Sequence, residues 1–363
     1  MMRFISVLIL LLHVLLFSVP VQAEDEYWEY TLRPGDTIWK IAREYTNSVN
    51  NWDDIQRLNN IGKGPDRTIP PGTRIKIPVS MLKQKPTPAV VIALSGEVNL
   101  IRANGNTEVL VVGSKLYSGD KIVTVDEQNL RIQFADKSEL QVFSNSELLF
   151  DKLGYHEDTG MVDTRVRLPQ GRVKTWVEKL RPQSRYEIET PAAVTAVRGT
   201  QYRLSSDQGQ ITRTEVTEGE VGVSAGGVTQ QVSSGFGLMA EKGKPLTLPV
   251  KLLDAPVINN NQSTVAGELN ITWSILPDAA EYRYQLARDE KFDQIILSSA
   301  TMTARLIATD LEPGEYYVRV RGIAVNRLEG LDSVRSFAVK KAIDGSGVLQ
   351  QIILPSGLIL MGQ

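Results

Sequence analysis

From Ala89 onward the chain is written with a period of two. Apolar and polar residues take turns in short runs broken by Gly, Asn and Asp, a spacing that suits a half-buried strand and not a helix. Leu130, Ile132 and Phe134 alternate with Arg131 and Gln133, the turn Asp136-Lys137-Ser138 follows, and Leu140 and Val142 resume the apolar side. This predicts a hairpin with one buried face. Further on, Leu269, Ile271 and Trp273, then Tyr282, Tyr284 and Leu286, then Tyr316, Val318 and Val320 repeat the pattern, as in a small β-sandwich. Only the stretch before residue 82 follows helical spacing.

The 363 residues therefore read as a multidomain, mainly β chain. A compact block covers 24–81, and a proline-stiffened linker, 82–88, carries Pro86 and Pro88. A β-rich domain follows at 89–250, then an Asn-rich linker at 251–264, a β-sandwich at 265–341 and a tail at 342–363. The tail places Ile352-Ile353-Leu354 and Leu358-Ile359-Leu360 around Pro355-Ser356-Gly357, which fits either an extra hairpin or a docking strand. At the other end, Arg3, the apolar run from Phe4 to Val19, Pro20 and Val21-Gln22-Ala23 read as a signal peptide, 1–23, cleaved after Ala23. An uncleaved anchor is the alternative; no later apolar run reaches membrane-spanning length.

Composition excludes several chemistries. There is no cysteine, so disulfides, thiolate metal sites and a cysteine nucleophile are out. Of two histidines, only His156 follows Ala23, which removes any multi-imidazole zinc site. A net charge of -2 with dispersed Lys and Arg gives no case for nucleic acid. The neighbouring carboxylates Asp53-Asp54 and Glu157-Asp158 do not face one another as a glycosidase pair must. Gly235-Phe236-Gly237 lacks the strand-to-helix setting of a phosphate loop, and Gly345-Ser346-Gly347 the elbow of a hydrolase nucleophile. The sequence thus predicts no enzyme, no metal and no cofactor.

In the first block, Tyr30-Thr31-Leu32 reads as a strand and Pro34-Gly35 as a turn. Asp36 or Thr37 then caps a helix whose apolar face is Ile38, Ile41, Ala42 and Tyr45. A second helix, about Asn51 to Asn59, carries Trp52, Ile55 and Leu58, and Arg74 to Ile77 form a strand closed by Pro78. The runs YTLRPGDTIWKIAREY, WDDIQRLNNI and IPPGTRIKIP, over about Trp28 to Pro78, resemble a LysM domain of βααβ order. The stretch between the helices, Thr46 to Asn51, is longer than in the shortest members, and Asp66 to Ile69 carries an extra residue. The resemblance implies a shallow groove for peptidoglycan or another glycan containing N-acetylglucosamine. One wall of it would be Gly35, Asp36, Thr37 and Ile38, and the other Asn60, Ile61 and Gly62. Loop amides and carbonyls would bond N-acetyl groups while Ile38 and Ile61 cover a sugar face. The competing reading has Asp36 and Thr37 only capping, with Ile38 and Ile61 only packing. Trp39 is expected in the core.

YSGDKIVTVDEQNLRIQFADKSEL, YEIETPAAVTAVRGTQYRL and VTEGEVGV, from about Leu116 to Val223, resemble a FecR-type periplasmic domain. Lys137 stands where that family usually has Gly in the hairpin turn. Arg198 reads as a structural arginine or a partner contact. About Ala255 to Val339 is similar to a fibronectin type III or immunoglobulin-like sandwich. Trp273 stands at its core, and Leu311-Glu312-Pro313-Gly314-Glu315-Tyr316 fits its tyrosine corner. Tyr317, Arg319 and Arg321 lie on the opposite strand face, by default solvated, with a partner contact as the alternative. Together these resemblances imply a periplasmic, wall-associated scaffold holding glycan and presenting β domains to envelope proteins. The alternatives are a FecR-like sensor acting through a separate membrane protein and, third, a cell-wall hydrolase.

Overall fold

A computed structural model describes residues 26–62, 64, 69–197, 199–208, 210–259 and 267–339. The signal-peptide reading, Arg198 and the C-terminal tail lie outside the described residues. The chain divides into two compact units, Met1–Leu82 and Lys83–Gln363.

In the first unit the order is β1 (Tyr27–Thr31), α1 (Ile38–Tyr45), α2 (Asn51–Leu58) and β2 (Arg74–Pro78). β1 and β2 pair antiparallel with Tyr30 opposite Ile75. Helix α1 forms because Thr37 caps it, its Oγ1 accepting from Lys40 N at 3.2 Å. The predicted set Ile38, Ile41, Ala42 and Tyr45 is buried. The helix ends where Thr46 turns extended and its hydroxyl donates to the Ala42 carbonyl, 2.7 Å. Helix α2 buries less than its spacing predicts. Ile55 is fully buried, Trp52 is half-buried and Leu58 is exposed. Trp28, Tyr30 and Tyr45 pack as a triad with ring centroids 5.2 to 5.4 Å apart. Trp39 departs from expectation. It is half-buried, with the Arg43 guanidinium 4.7 Å over its ring, because it lies one position off the buried stripe of α1.

The second unit opens with a strand in the proline segment, Lys85–Pro86 opposite Tyr155 and Gly154. Its strands then pair round into a closed barrel. One of them, Met161–Val177, is shared between the two halves of the barrel. Its first half pairs with Glu147–His156 and, in parallel, with Arg185–Glu189; its second half pairs with Glu139–Val142 and Thr200–Asp207. The switch occurs at Gly171, whose φ of +106° and close approach to Ser146 leave no room for a Cβ. The barrel core holds Leu130, Ile132, Leu140, Val142, Phe150 and Tyr202, all buried.

Leu269–Thr272 pairs with Arg305–Ala308, and Ile295–Thr301, Ala279–Ala287, Gly314–Ala324 and Ser333–Val339 form a four-stranded sheet. Trp273, Leu286, Tyr316 and Phe337 fill the core of this sandwich. Tyr316 closes the expected corner, its hydroxyl donating to the Glu312 carbonyl at 2.7 Å.

Two expectations about strand faces are overturned together. The hairpin 129–142 is buried on both sides: Arg131 is 4 % exposed and Gln141 0 %. Arg319 and Arg321, read as a solvated face, are 4 % and 3 % exposed. The cause is that the sandwich lies on the outward face of the barrel sheet. Arg131 donates to the Lys291 carbonyl, 2.7 Å, and Gln141 to that of Phe292, 2.6 Å. Arg203 donates to the carbonyls of Glu329 and Gly330, 2.7 and 2.6 Å. Alternation sorts residues onto faces but does not say what covers them.

Candidate functional site

The segment expected to form the first wall is a tight turn organised by one carboxylate. Oδ2 of Asp36 accepts from the Arg33 amide at 2.7 Å and from the Tyr30 hydroxyl at 2.8 Å, while the Asp36 amide donates back to the Arg33 carbonyl, 3.2 Å. Burial and this bond to Asp36 push the Tyr30 hydroxyl well above its ordinary range, so it stays a neutral donor. Gly35 is exposed at φ +85° with nothing near its missing Cβ, and Lys40 Nζ donates to its carbonyl at 2.9 Å. Thr37 is the cap. Ile38 is 0 % exposed. It cannot lay its side chain on a sugar, and the packing reading holds for that residue. What Ile38 and Trp39 offer is backbone: first-turn N–H groups have no partner within the helix.

The segment expected to form the second wall is the exit of α2. Asn60, at φ +54°, donates its amide to the Arg57 carbonyl (3.2 Å), and the Ile61 amide donates to the Gln56 carbonyl (2.9 Å). That pair of bonds is a Schellman turn with Asn in the left-handed position. Asn60 and Gly62 are exposed and Ile61 half-buried, so Ile61 keeps part of an apolar side chain at the surface.

Three supports were missed from sequence. Asn59 clamps the loop to β2, its Nδ2 donating to the Lys76 carbonyl (2.7 Å) and its Oδ1 accepting from the Lys76 amide (2.7 Å). The buried Gln56 side chain donates to the Gly64 carbonyl. Leu32 and the Gly72-Thr73 turn exchange bonds, Leu32 N to Thr73 O at 2.9 Å and Gly72 N to Leu32 O at 2.8 Å, tying the segment after β1 to the one before β2. The Asn-Asn doublet behind an apolar stripe was a usable signal for the helix stop. Nothing in local spacing pointed to Gln56.

Elsewhere the candidate chemistry is structural. Asp53 and Asp54 both pair with Arg57, and Glu157 with Lys85 at 2.5 Å. His156 is 5 % exposed and donates Nδ1–H to the Lys83 carbonyl at 2.7 Å; burial pulls its imidazole below the ordinary value. Among the described residues no group of three or more His, Cys, Asp or Glu could hold a metal ion.

With this geometry in view, two family models match. Residues 30–78 match the LysM domain and residues 120–222 the FecR protein. No curated protein matches the chain. Among solved structures, a putative anti-sigma factor from Parabacteroides distasonis ATCC 8503 shares 12 % identity over 36 % of this chain, at a TM-score of 0.32. The chain spans 59 % of that protein's length. A human FNIII domain shares 19 % identity over 27 % of this chain and 86 % of its own, at 0.21. A β-1,2-glucanase from P. distasonis shares 10 % over 61 % of this chain and 33 % of its own, at 0.22. The LysM match encloses both walls, Gly35 to Ile38 and Asn60 to Gly62, and the FecR match lies wholly within the barrel.

Proposed function

We propose that this chain is an exported envelope protein that holds peptidoglycan, or another glycan containing N-acetylglucosamine, through its LysM region, and that its β unit is a binding scaffold with no catalytic role. The observation that carries the reading is the LysM match over both loops, in the first of which the Asp36 side chain is spent on shaping the turn. The first-turn amides of α1 have no partner within the helix, and Ile61 on the second loop is half-exposed. Neutral acetamido groups accept from amides, and a half-exposed isoleucine suits a sugar's apolar face. Such a ligand needs no charged side chain, and among the seven proposed site residues Asp36 is already bonded to Tyr30 and Arg33. Periplasmic location follows from this partner and from the signal-peptide reading of residues 1–23. Among the described residues no helix is long and apolar enough to cross a membrane.

The test is co-sedimentation of the full chain with purified sacculi, competed by chito-oligosaccharides. Retention that oligosaccharide abolishes supports the reading; a folded chain left in the supernatant overturns it. The FecR match favours a second reading, in which the barrel passes an envelope signal to a separate membrane protein. Deletion would then change a defined set of transcripts and leave wall retention of other proteins intact.

A further inference from the structure

The joint between barrel and sandwich buries more positive charge than its carboxylates balance. At its centre Arg172, Lys174 and Arg203 of the barrel meet Arg283, Arg319 and Arg321 of the sandwich. Among the described residues, Glu215, Glu329 and Asp332 answer them. Asp332 pairs with Arg321 (2.6 Å), Arg203 (3.2 Å) and Lys174 (3.3 Å). Glu329 pairs with Arg283 (2.5 Å), Arg321 (2.7 Å) and Arg172 (3.5 Å). Glu215 reaches Arg203 at 3.6 Å and accepts from the Glu329 amide at 3.2 Å. Arg319 has neutral company, the Gln285 Oε1 at 2.7 Å and the face of Phe292 at 4.1 Å. Of the outlying arginines, Arg131 faces two carboxylates, Glu139 and Asp293, and Arg213 faces one, Asp207.

Six cations against three carboxylates leaves three surplus charges at the centre, cut to two by the second carboxylate at Arg131 and eased by solvent at Arg172, whose side chain is 31 % exposed. Arg203, Arg319 and Arg321 are each 4 % exposed or less, and a guanidinium does not shed its proton. Buried charge without a counter-charge is costly. Beside this cluster lies a cavity of about 20 Å³, lined among others by Arg172, Arg203, Arg321, Glu215, Glu329 and Gln285. Among the described residues neither the Nε of Arg203 nor that of Arg321 makes a hydrogen bond, although Glu215 lies 3.6 Å from the first and Glu329 2.7 Å from the second. The volume admits one atom-sized guest. We propose that this cavity binds a single monatomic anion of the halide class, chloride under ordinary conditions, which completes the charge balance and holds the sandwich on the barrel. The two carboxylates in the lining oppose an anion, but each is already turned to arginine, and the surplus remains positive.

The experiment is thermal unfolding of the full chain at pH 7 in sodium chloride and in sodium gluconate at matched ionic strength, gluconate being too large for the cavity. We expect a saturable rise in the midpoint of the β unit of about 3 °C or more in chloride. Gluconate is at least as strongly excluded from protein surfaces, so a general salt effect would not favour chloride. Gln285→Glu places a negative charge against Arg319 and Arg321 and should shrink the chloride increment. Should that variant fail to fold, crystals of the wild-type chain in sodium bromide decide, with an anomalous peak expected between Arg172, Arg203 and Arg321. Equal midpoints in the two salts, or a cavity without bromide, would overturn the proposal and leave the space to water.

Discussion

Ile38 and Ile61 entered the sequence argument as equals and leave the structure with different duties. Ile38 is fully enclosed with Ile41 and Ala42, whereas Ile61 sits half-exposed on the Schellman turn. Ile38→Ala therefore removes core volume and should cost about 2–5 kcal/mol of the first unit's stability. Any loss of glycan retention in that variant would follow from unfolding. Ile61→Ala should cost about 1 kcal/mol of stability and weaken retention on sacculi roughly 5-fold to 10-fold, with the aromatic signal of the Trp28-Tyr30-Tyr45 triad unchanged. Equilibrium denaturation and near-UV dichroism of the two variants, run beside co-sedimentation, separate the cases. Unchanged retention in a folded Ile61→Ala chain would remove the second wall from the site. Asp36 belongs with Ile38 here. Its carboxylate builds the turn, so replacing it tests the fold before it tests the ligand.

At the scale of elements, the left-handed residue in the hairpin 129–142 offers a clean measurement. Lys137 stands at φ +74° in the turn where Phe134 and Ser138 close the loop. A side chain there is strained and glycine is not, so Lys137→Gly should stabilise the β unit by about 0.5–1 kcal/mol, read as a higher urea midpoint at unchanged slope. That turn was legible from its residues, as were a cap at Asp36 or Thr37, both helices and the tyrosine corner. Each is decided within a few residues of chain, by period, cap or turn chemistry. The burial of Arg131, Gln141, Arg319 and Arg321 was not legible, because it depends on one sheet covering another some 160 positions away, as in the bond from Arg131 to Lys291. The strand at Lys85–Pro86 escaped for a related reason: two prolines read as a linker until Gly154 and Tyr155 arrive from another part of the chain. At the candidate site, the loop residues were legible and their division of labour was not. Which side chains are consumed inside the turn is settled by Tyr30 and Asn59, and neither belongs to the loops read as walls.

At the scale of the β unit, two buried groups titrate in opposition. His156 is neutral in the fold, with its imidazole held below the ordinary 6.5 by burial. Below pH 6.5 the unfolded chain takes up a proton that the fold refuses, so this residue lowers stability as pH falls from 6.5 through its folded value. Glu215 does the reverse. Burial raises its carboxyl from 4.5 to about 7, the nearby Arg203 only partly offsetting it. Between those values the fold binds the proton that the unfolded chain releases, so Glu215 raises stability as pH falls from about 7 toward 4.5. The two slopes oppose each other from pH 6.5 down to the folded value of His156, and the wild-type chain should show a shallow profile there. Glu215→Gln keeps an acceptor for the Glu329 amide and removes the titration, so its stability should fall more steeply than wild type as pH drops from 6.5 to 5. His156→Gln keeps a donor for the Lys83 carbonyl and should instead gain stability over the same interval. Asp332 and Glu329 hold both variants together in this window. Their carboxyls are kept far below the ordinary range by the surrounding arginines against the pull of burial, so their contribution is lost only as pH falls below that range. Urea midpoints of the three chains at pH 5, 6 and 7 make the comparison. Parallel profiles for Glu215→Gln and wild type would show that Glu215 is ionised throughout, paired with Arg203 as a charge rather than buried beside it as an acid.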